Sequence, residues 1–161
     1  MTAPETTPSQ TIGPFFSHAL PWPEGHLVVP IQTPSAIWVR GRVLDGAGEP
    51  VPDALIESWQ AAEGFSGFGR CATDASGHWR LHTLPTPYLA LSVFARGLLN
   101  RVVTRVYLPG HTDGPTDGHT DEVLSSLPQS ARETLIAHEA DDGYHFDIHL
   151  QGEHETTFFT W

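Results

Sequence analysis

From Ile37 onward the chain alternates apolar and polar positions with the period of two that places side chains on opposite faces of a strand. Ile37, Val39, Gly41 and Val43 fall on one side, a turn follows at Asp45-Gly46-Ala47-Gly48, and apolar residues return from Ala54 to Trp59. That pattern predicts two antiparallel strands. The same reasoning predicts strands at His78 to Thr83, Tyr88 to Ala95, Arg101 to Leu108, Tyr144 to Leu150 and Glu155 to Phe159, with turn-rich segments between them. Seven short strands imply an all-β chain, a β-sandwich of mostly antiparallel strands. One short helix is expected: Ser126 and Gln129 have capping-box spacing, Pro128 suits the first turn, and Leu135 and Ile136 follow. No internal repeat is visible.

Residues 1–36 read differently. They hold seven prolines and no sustained periodicity, yet they carry Ile12, Phe15, Phe16, Leu20, Trp22, Leu27, Val28, Val29 and Ile31. An extended arm this apolar wraps its own domain or packs against another chain. Residues 37–161 then form the single domain, because 161 residues with 39% hydrophobic content suffice for one core. Fifteen Gly and fourteen Pro scattered along the chain suit many turns between short strands.

Charge narrows the possible partners. A formal net charge of −11 repels nucleic-acid phosphates and anionic membranes. The single cysteine, Cys71, excludes an internal disulfide and reads as a small buried residue. Met1 to Gln10 lacks the apolar stretch of a signal peptide, and no apolar run approaches the roughly 20 residues that span a bilayer. A soluble, cytoplasmic chain is expected. The acidic stretch Asp113 to Glu122 reads as a surface loop.

Ten histidines invite a metal hypothesis. His145, Asp147 and His149 would share one face of a strand, but positions four apart lie about 13 Å from each other, too far for one ion. A solvated face of a half-buried strand is the expectation. His78 and His82 flank Arg80 in the same way, and His111 and His119 fall in or beside the acidic loop. There is no phosphate-cradling glycine loop and no nucleophile elbow.

Several ordered motifs carry more information than any of these. Thr7-Pro8-Ser9-Gln10-Thr11-Ile12-Gly13-Pro14-Phe15-Phe16, Glu57-Ser58-Trp59-Gln60-Ala61 and Phe68-Gly69-Arg70 resemble the intradiol ring-cleaving dioxygenases. Ser92-Val93-Phe94-Ala95-Arg96-Gly97, Arg132 to Ala137, and the ending from Phe146 to Phe159 resemble the alpha chains of that family's two-chain, protocatechuate-cleaving branch. The resemblance implies a β-sandwich, a beta subunit as partner in a hetero-oligomer, and a catechol substrate cleaved with O₂. It also implies Fe(III) held by two Tyr and two His of the beta subunit rather than by this chain. Where the catalytic branch has Arg-x-x-His-x-His, this chain has Pro85-Thr86-Pro87-Tyr88-Leu89-Ala90, so Tyr88 and Ala90 stand at the histidine positions and the metal ligands here are none. The segments Ala61 to Phe68 and Leu84 to Tyr88 look shorter than in a typical alpha chain.

By resemblance, Gly13, Pro14, Phe15 and Arg96 line the substrate, and Arg96 is the catalytic candidate. Residues 1–36 would be the arm that contacts the partner subunit. The chemistry is coherent: a benzoate-like substrate needs a flat apolar wall and a cation, and the planar guanidinium fork suits a carboxylate. A structural salt bridge is the competing role for Arg96, and simple anchoring of the arm is the competing role for the Gly-Pro-Phe turn. Two other readings remain: a self-sufficient catechol or hydroxyquinol dioxygenase with its own iron, and a non-enzymatic β-sandwich binding module.

Overall fold

A computed structural model describes residues 11, 13, 15–111 and 121–160. Among the described residues nine strands form two sheets: β1 (Ile37–Leu44), β2 (Leu55–Ala62), β3 (Phe65–Ala72), β4 (His78–Thr83), β5 (Tyr88–Phe94), β6 (Val102–Tyr107), β7 (His138–Ala140), β8 (Gly143–His145) and β9 (Ile148–His149). One sheet runs β4-β1-β8-β7, with β9 also on β1, and the other runs β3-β2-β5-β6. The β1–β4, β2–β3, β2–β5 and β5–β6 pairs are antiparallel, while β8 and β9 run parallel to β1. The core lies between the sheets, with Val39 and Val43 of β1, Leu81 of β4, Ile56 of β2 and Leu89, Leu91 and Val93 of β5 fully buried. This is the expected sandwich.

The first turn closes as its sequence suggests. Asp45 Oδ1 accepts from the amides of Ala47 at 2.8 Å and Glu49 at 2.9 Å, and Gly48 takes the positive φ of +78° that glycine tolerates.

Several expectations need correction. Strand β3 was not foreseen, because Gly67 and Gly69 weaken its strand character. Both glycines are required: side chains there would run into Val28, which lies on the inner face of β3. The single strand expected from Tyr144 to Leu150 is two, β8 and β9. They run beside β1 in unchanged register, Arg40 opposite His145 and Val43 opposite Ile148. Between them Asp147 Oδ1 accepts the Arg42 amide at 2.7 Å, so a side chain takes the place of a ladder carbonyl. Residues 155–159 form no strand, only an isolated bridge from Phe159 to Val103.

The helix expectation also changes. Ser126 ends α2 (Glu122–Ser126), which Asp121 caps by accepting from Val123 and Leu124, and its hydroxyl donates to the Val123 carbonyl at 2.8 Å. The N-cap of α3 (Gln129–Glu133) is Pro128, without a side-chain cap, so the capping box is absent. A third short helix, α1 (Phe16–Ala19), lies in the arm.

Part of the arm is strapped to its own sandwich. The Val28 amide donates to the His82 carbonyl at 2.9 Å, the His82 amide to the His26 carbonyl at 2.8 Å, and the Arg70 amide to the Gly25 carbonyl at 2.7 Å. His82 is therefore not on a wet face. Only 4% exposed, it donates from Nδ1 to the Val29 carbonyl at 3.1 Å and packs against Trp38. His78 and Arg80 on the same side of β4 are exposed, as expected.

Candidate functional site

The motif Glu57-Ser58-Trp59-Gln60-Ala61 lies on β2, and the pleat divides it. Ser58 and Gln60 face the core, where the Gln60 amide donates to the Leu84 carbonyl at 3.1 Å and to the Thr86 hydroxyl at 2.9 Å. Gln60 thereby ties β2 to the segment leading into β5. Glu57 and Trp59 face outward, opposite Arg70 and Phe68 of β3. Arg70 forks onto Glu57, donates to the Leu20 carbonyl at 2.8 Å, and stacks on Trp22 with its guanidinium 4.8 Å from the ring centroid. The Phe68-Gly69-Arg70 motif thus fastens the arm to the outer face of the second sheet.

One part of the predicted substrate site, Arg96, lies at one end of that sheet. Leu55 opens β2 opposite Phe94, near the end of β5. Two residues beyond these lie Asp53 and Arg96, and Arg96 Nε pairs with Asp53 Oδ2 at 2.8 Å. The Arg96 side chain remains 59% exposed, whereas Asp53 is only 15% exposed. At the same end the ring of Phe16, the residue after Phe15, lies 6.2 Å from that of Phe94, on the strand that leads into Arg96. Phe15 is 77% exposed and Gly13 has open space around its Cα. Pro14, together with Ile12 and the residues before Thr11, lies outside the described residues. The exposed Arg96 guanidinium could receive an anionic group.

The chain was compared with known proteins. No protein-family model matches it. The protocatechuate 3,4-dioxygenase alpha chain of Burkholderia cepacia is 32% identical over 198 aligned positions, covering 99% of each chain. The chain belongs to the protocatechuate 3,4-dioxygenase alpha-chain family. The beta chain from the same organism is 34% identical over 159 positions, covering 74% of this chain and 66% of that one. Among solved structures, the dioxygenase domain of a dioxygenase carbohydrate-binding protein fusion from Streptomyces sp. SirexAA-E superimposes with a TM-score of 0.56 at 23% identity. That match covers 91% of this chain and 99% of that one, and confirms the sandwich fold.

The family is iron-dependent, so the residues of this alpha-family chain at the two histidine positions can be tested against a ferric ion. Tyr88 and Ala90 lie on the outer face of β5, opposite Tyr107 and Arg105 of β6. The Arg105 guanidinium covers the Tyr88 ring at 4.2 Å, donates to the Tyr107 hydroxyl at 3.2 Å, and pairs with Asp121 at 2.9 Å. Burial raises the Tyr107 phenol above its ordinary pKa, although the Arg105 guanidinium pulls it the other way. A methyl group, a tyrosine under a cation and a phenol held protonated do not suit a ferric ion, which needs deprotonated or neutral donors and no competing cation. Among the described residues no group of three His, Cys, Asp or Glu side chains is arranged to hold a metal ion.

The straight strand assumed for His145, Asp147 and His149 is interrupted, since β8 ends at His145 and β9 begins at Ile148, and His145 Nε2 lies 3.5 Å from Asp147 Oδ1. His145, Asp147 and His149 line an open cleft of about 460 Å³ together with His154. Asp147 is already engaged by Arg42, through its amide at 2.7 Å and its guanidinium at 3.6 Å. His111 packs near Tyr144, while His119 and most of the acidic loop lie outside the described residues. Cys71 is half-buried, and burial pushes its thiol up from its ordinary pKa. Sequence reasoning missed Asp53 and Arg105. Neither lies in a recognised motif, and no local spacing links Asp53 to Arg96 or Arg105 to Tyr88.

Proposed function

We propose that this chain is the alpha, non-iron subunit of a protocatechuate 3,4-dioxygenase. With a beta subunit it would cleave protocatechuate with O₂, between the two hydroxyl-bearing carbons, to 3-carboxy-cis,cis-muconate in cytoplasmic aromatic catabolism. The observation that carries this reading is the alignment with an alpha chain across 99% of both chains. The unsuitable donors around Tyr88 and Ala90 add to it, since they leave Fe(III) to the beta subunit. This chain's contribution is a wall and a charge: Gly13, Pro14 and Phe15 bound the aromatic ring, and Arg96 offers its guanidinium to the substrate carboxylate or to the carboxylate that forms as the ring opens. Residues 1–36 serve as the arm that reaches the partner.

The test is co-expression with a beta-type chain, iron analysis of each subunit, and kinetics of the complex. The isolated chain is expected to hold no stoichiometric ferric ion and to cleave no protocatechuate, and the complex to be coloured and active. One tightly bound ferric ion with tyrosinate colour on the isolated chain would instead favour a self-sufficient intradiol enzyme. Within the complex, Arg96→Ala should lower kcat/KM by roughly 10- to 100-fold, the loss of one hydrogen bond to a charged group. Assembly should survive, with Lys restoring only part of the loss.

A further inference from the structure

Among the described residues the Arg96 guanidinium pairs with Asp53, and its side chain stays 59% exposed in that pair. Asp53 Oδ2 comes against the fork at Nε, 2.8 Å away. Asp53 is the more buried partner, and its second oxygen, Oδ1, is buried without a hydrogen-bond partner among the described residues. A buried carboxylate with one unsatisfied oxygen is costly, and persists most readily where the surrounding backbone fixes it. Here that backbone is the start of β2, where Ala54 and Leu55 are fully buried and the Ala54 amide donates to the Thr73 hydroxyl at 3.0 Å.

Arg96, by contrast, sits in an exposed loop just before Gly97, whose φ of +89° turns the chain out of β5. A free arginine there would sample many rotamers, and an arginine side chain carries about 2 kcal/mol of rotamer entropy. The pairing could have been a simple staple between two strands. In this pair Arg96 stays mostly exposed while Asp53 is largely covered, so the guanidinium is oriented and still reachable.

We infer that Asp53 is a positioning residue: it holds the Arg96 guanidinium by Nε so that the terminal nitrogens face the substrate pocket completed by the partner chain. This rests on the substrate-facing role of Arg96 proposed above. Asp53 itself touches no substrate. Its carboxylate lowers the net positive charge near an anionic ligand, a cost that the fixed orientation has to outweigh. Shape should therefore matter more than charge. Asn keeps an oxygen that can accept from Nε, and Ala does not.

The experiment is a double-variant cycle in the reconstituted alpha–beta complex, with assembly checked by size-exclusion chromatography. Asp53→Ala should lower kcat/KM about 3- to 10-fold, Asp53→Asn should restore most of that loss, and Asp53→Ala combined with Arg96→Ala should be no worse than Arg96→Ala alone. Full activity of Asp53→Ala alongside a defective Arg96→Ala overturns the positioning role and leaves the Arg96 reading standing. A double variant that is additively worse also overturns it, since Asp53 would then act by another route. Wild-type kinetics of Arg96→Ala overturn both. If Asp53→Ala does not fold, the near-isosteric Asp53→Asn decides: efficiency close to wild type supports positioning through the retained oxygen, and a loss as large as that of Arg96→Ala shows that charge rather than orientation is what Arg96 needs from it.

Discussion

The ring of Phe16 lies 6.2 Å from that of Phe94, tilted by 40°, and this contact joins the N-terminal turn to the strand that ends beside Arg96. Residues 78 positions apart are held together by it, which no local pattern requires. An aromatic pair of this kind contributes about 0.5–1.5 kcal/mol beyond its buried area. Phe16→Ala should therefore loosen the turn, and protease cleavage within residues 11–20 should accelerate by about 2- to 10-fold in the isolated chain. Phe15→Ala should leave that rate unchanged, because Phe15 is 77% exposed. Equal acceleration by both variants would show that the Phe16–Phe94 contact does not anchor the arm.

A second expectation concerns the fit of the arm against β3. A Cβ on Gly69 would meet Val28 Cγ2 at 2.6 Å and Leu81 Cδ2 at 3.0 Å. Gly69→Ala should destabilise the fold by about 1–3 kcal/mol, the usual cost of overpacking. Combining it with Val28→Ala should recover part of that loss relative to the sum of the two single variants. Urea unfolding of all four proteins measures the coupling, and simple additivity would mean that Val28 is not the obstacle.

The arm should also respond to acid. Burial, followed by the nearby Arg80 charge, holds the His26 imidazole below its ordinary value of 6.5. The strapped arm thus binds fewer protons at His26 than the open arm does. The stabilisation from neutral His26 is present above about pH 6.5 and is lost as pH falls through its lower folded value. Protection of the Val28 amide from hydrogen exchange, corrected for intrinsic rates, should drop between pH 7 and pH 5. His26→Gln should flatten that drop, and an unchanged profile in this variant would assign the acid response to another group.

The period-two strands β1, β2, β4, β5 and β6, the Asp45 turn and the ordered motifs of the family are legible in the chain before it folds. Each of these is written in neighbouring residues, through alternation of burial or through a side chain that bonds amides two and four positions ahead. Other features depend on residues that meet from far apart. Gly67 and Gly69 read as a weak strand until Val28 is seen lying on them, and His82 reads as a wet face until residues 26–29 cover it. Asp147 interrupts a strand because its side chain reaches the Arg42 amide, 105 residues away in sequence. The same holds at the site. The sequence singles out Arg96 and Tyr88, but folding alone brings Asp53 against one and Arg105 over the other, because sheet register rather than local spacing sets which side chains share a face.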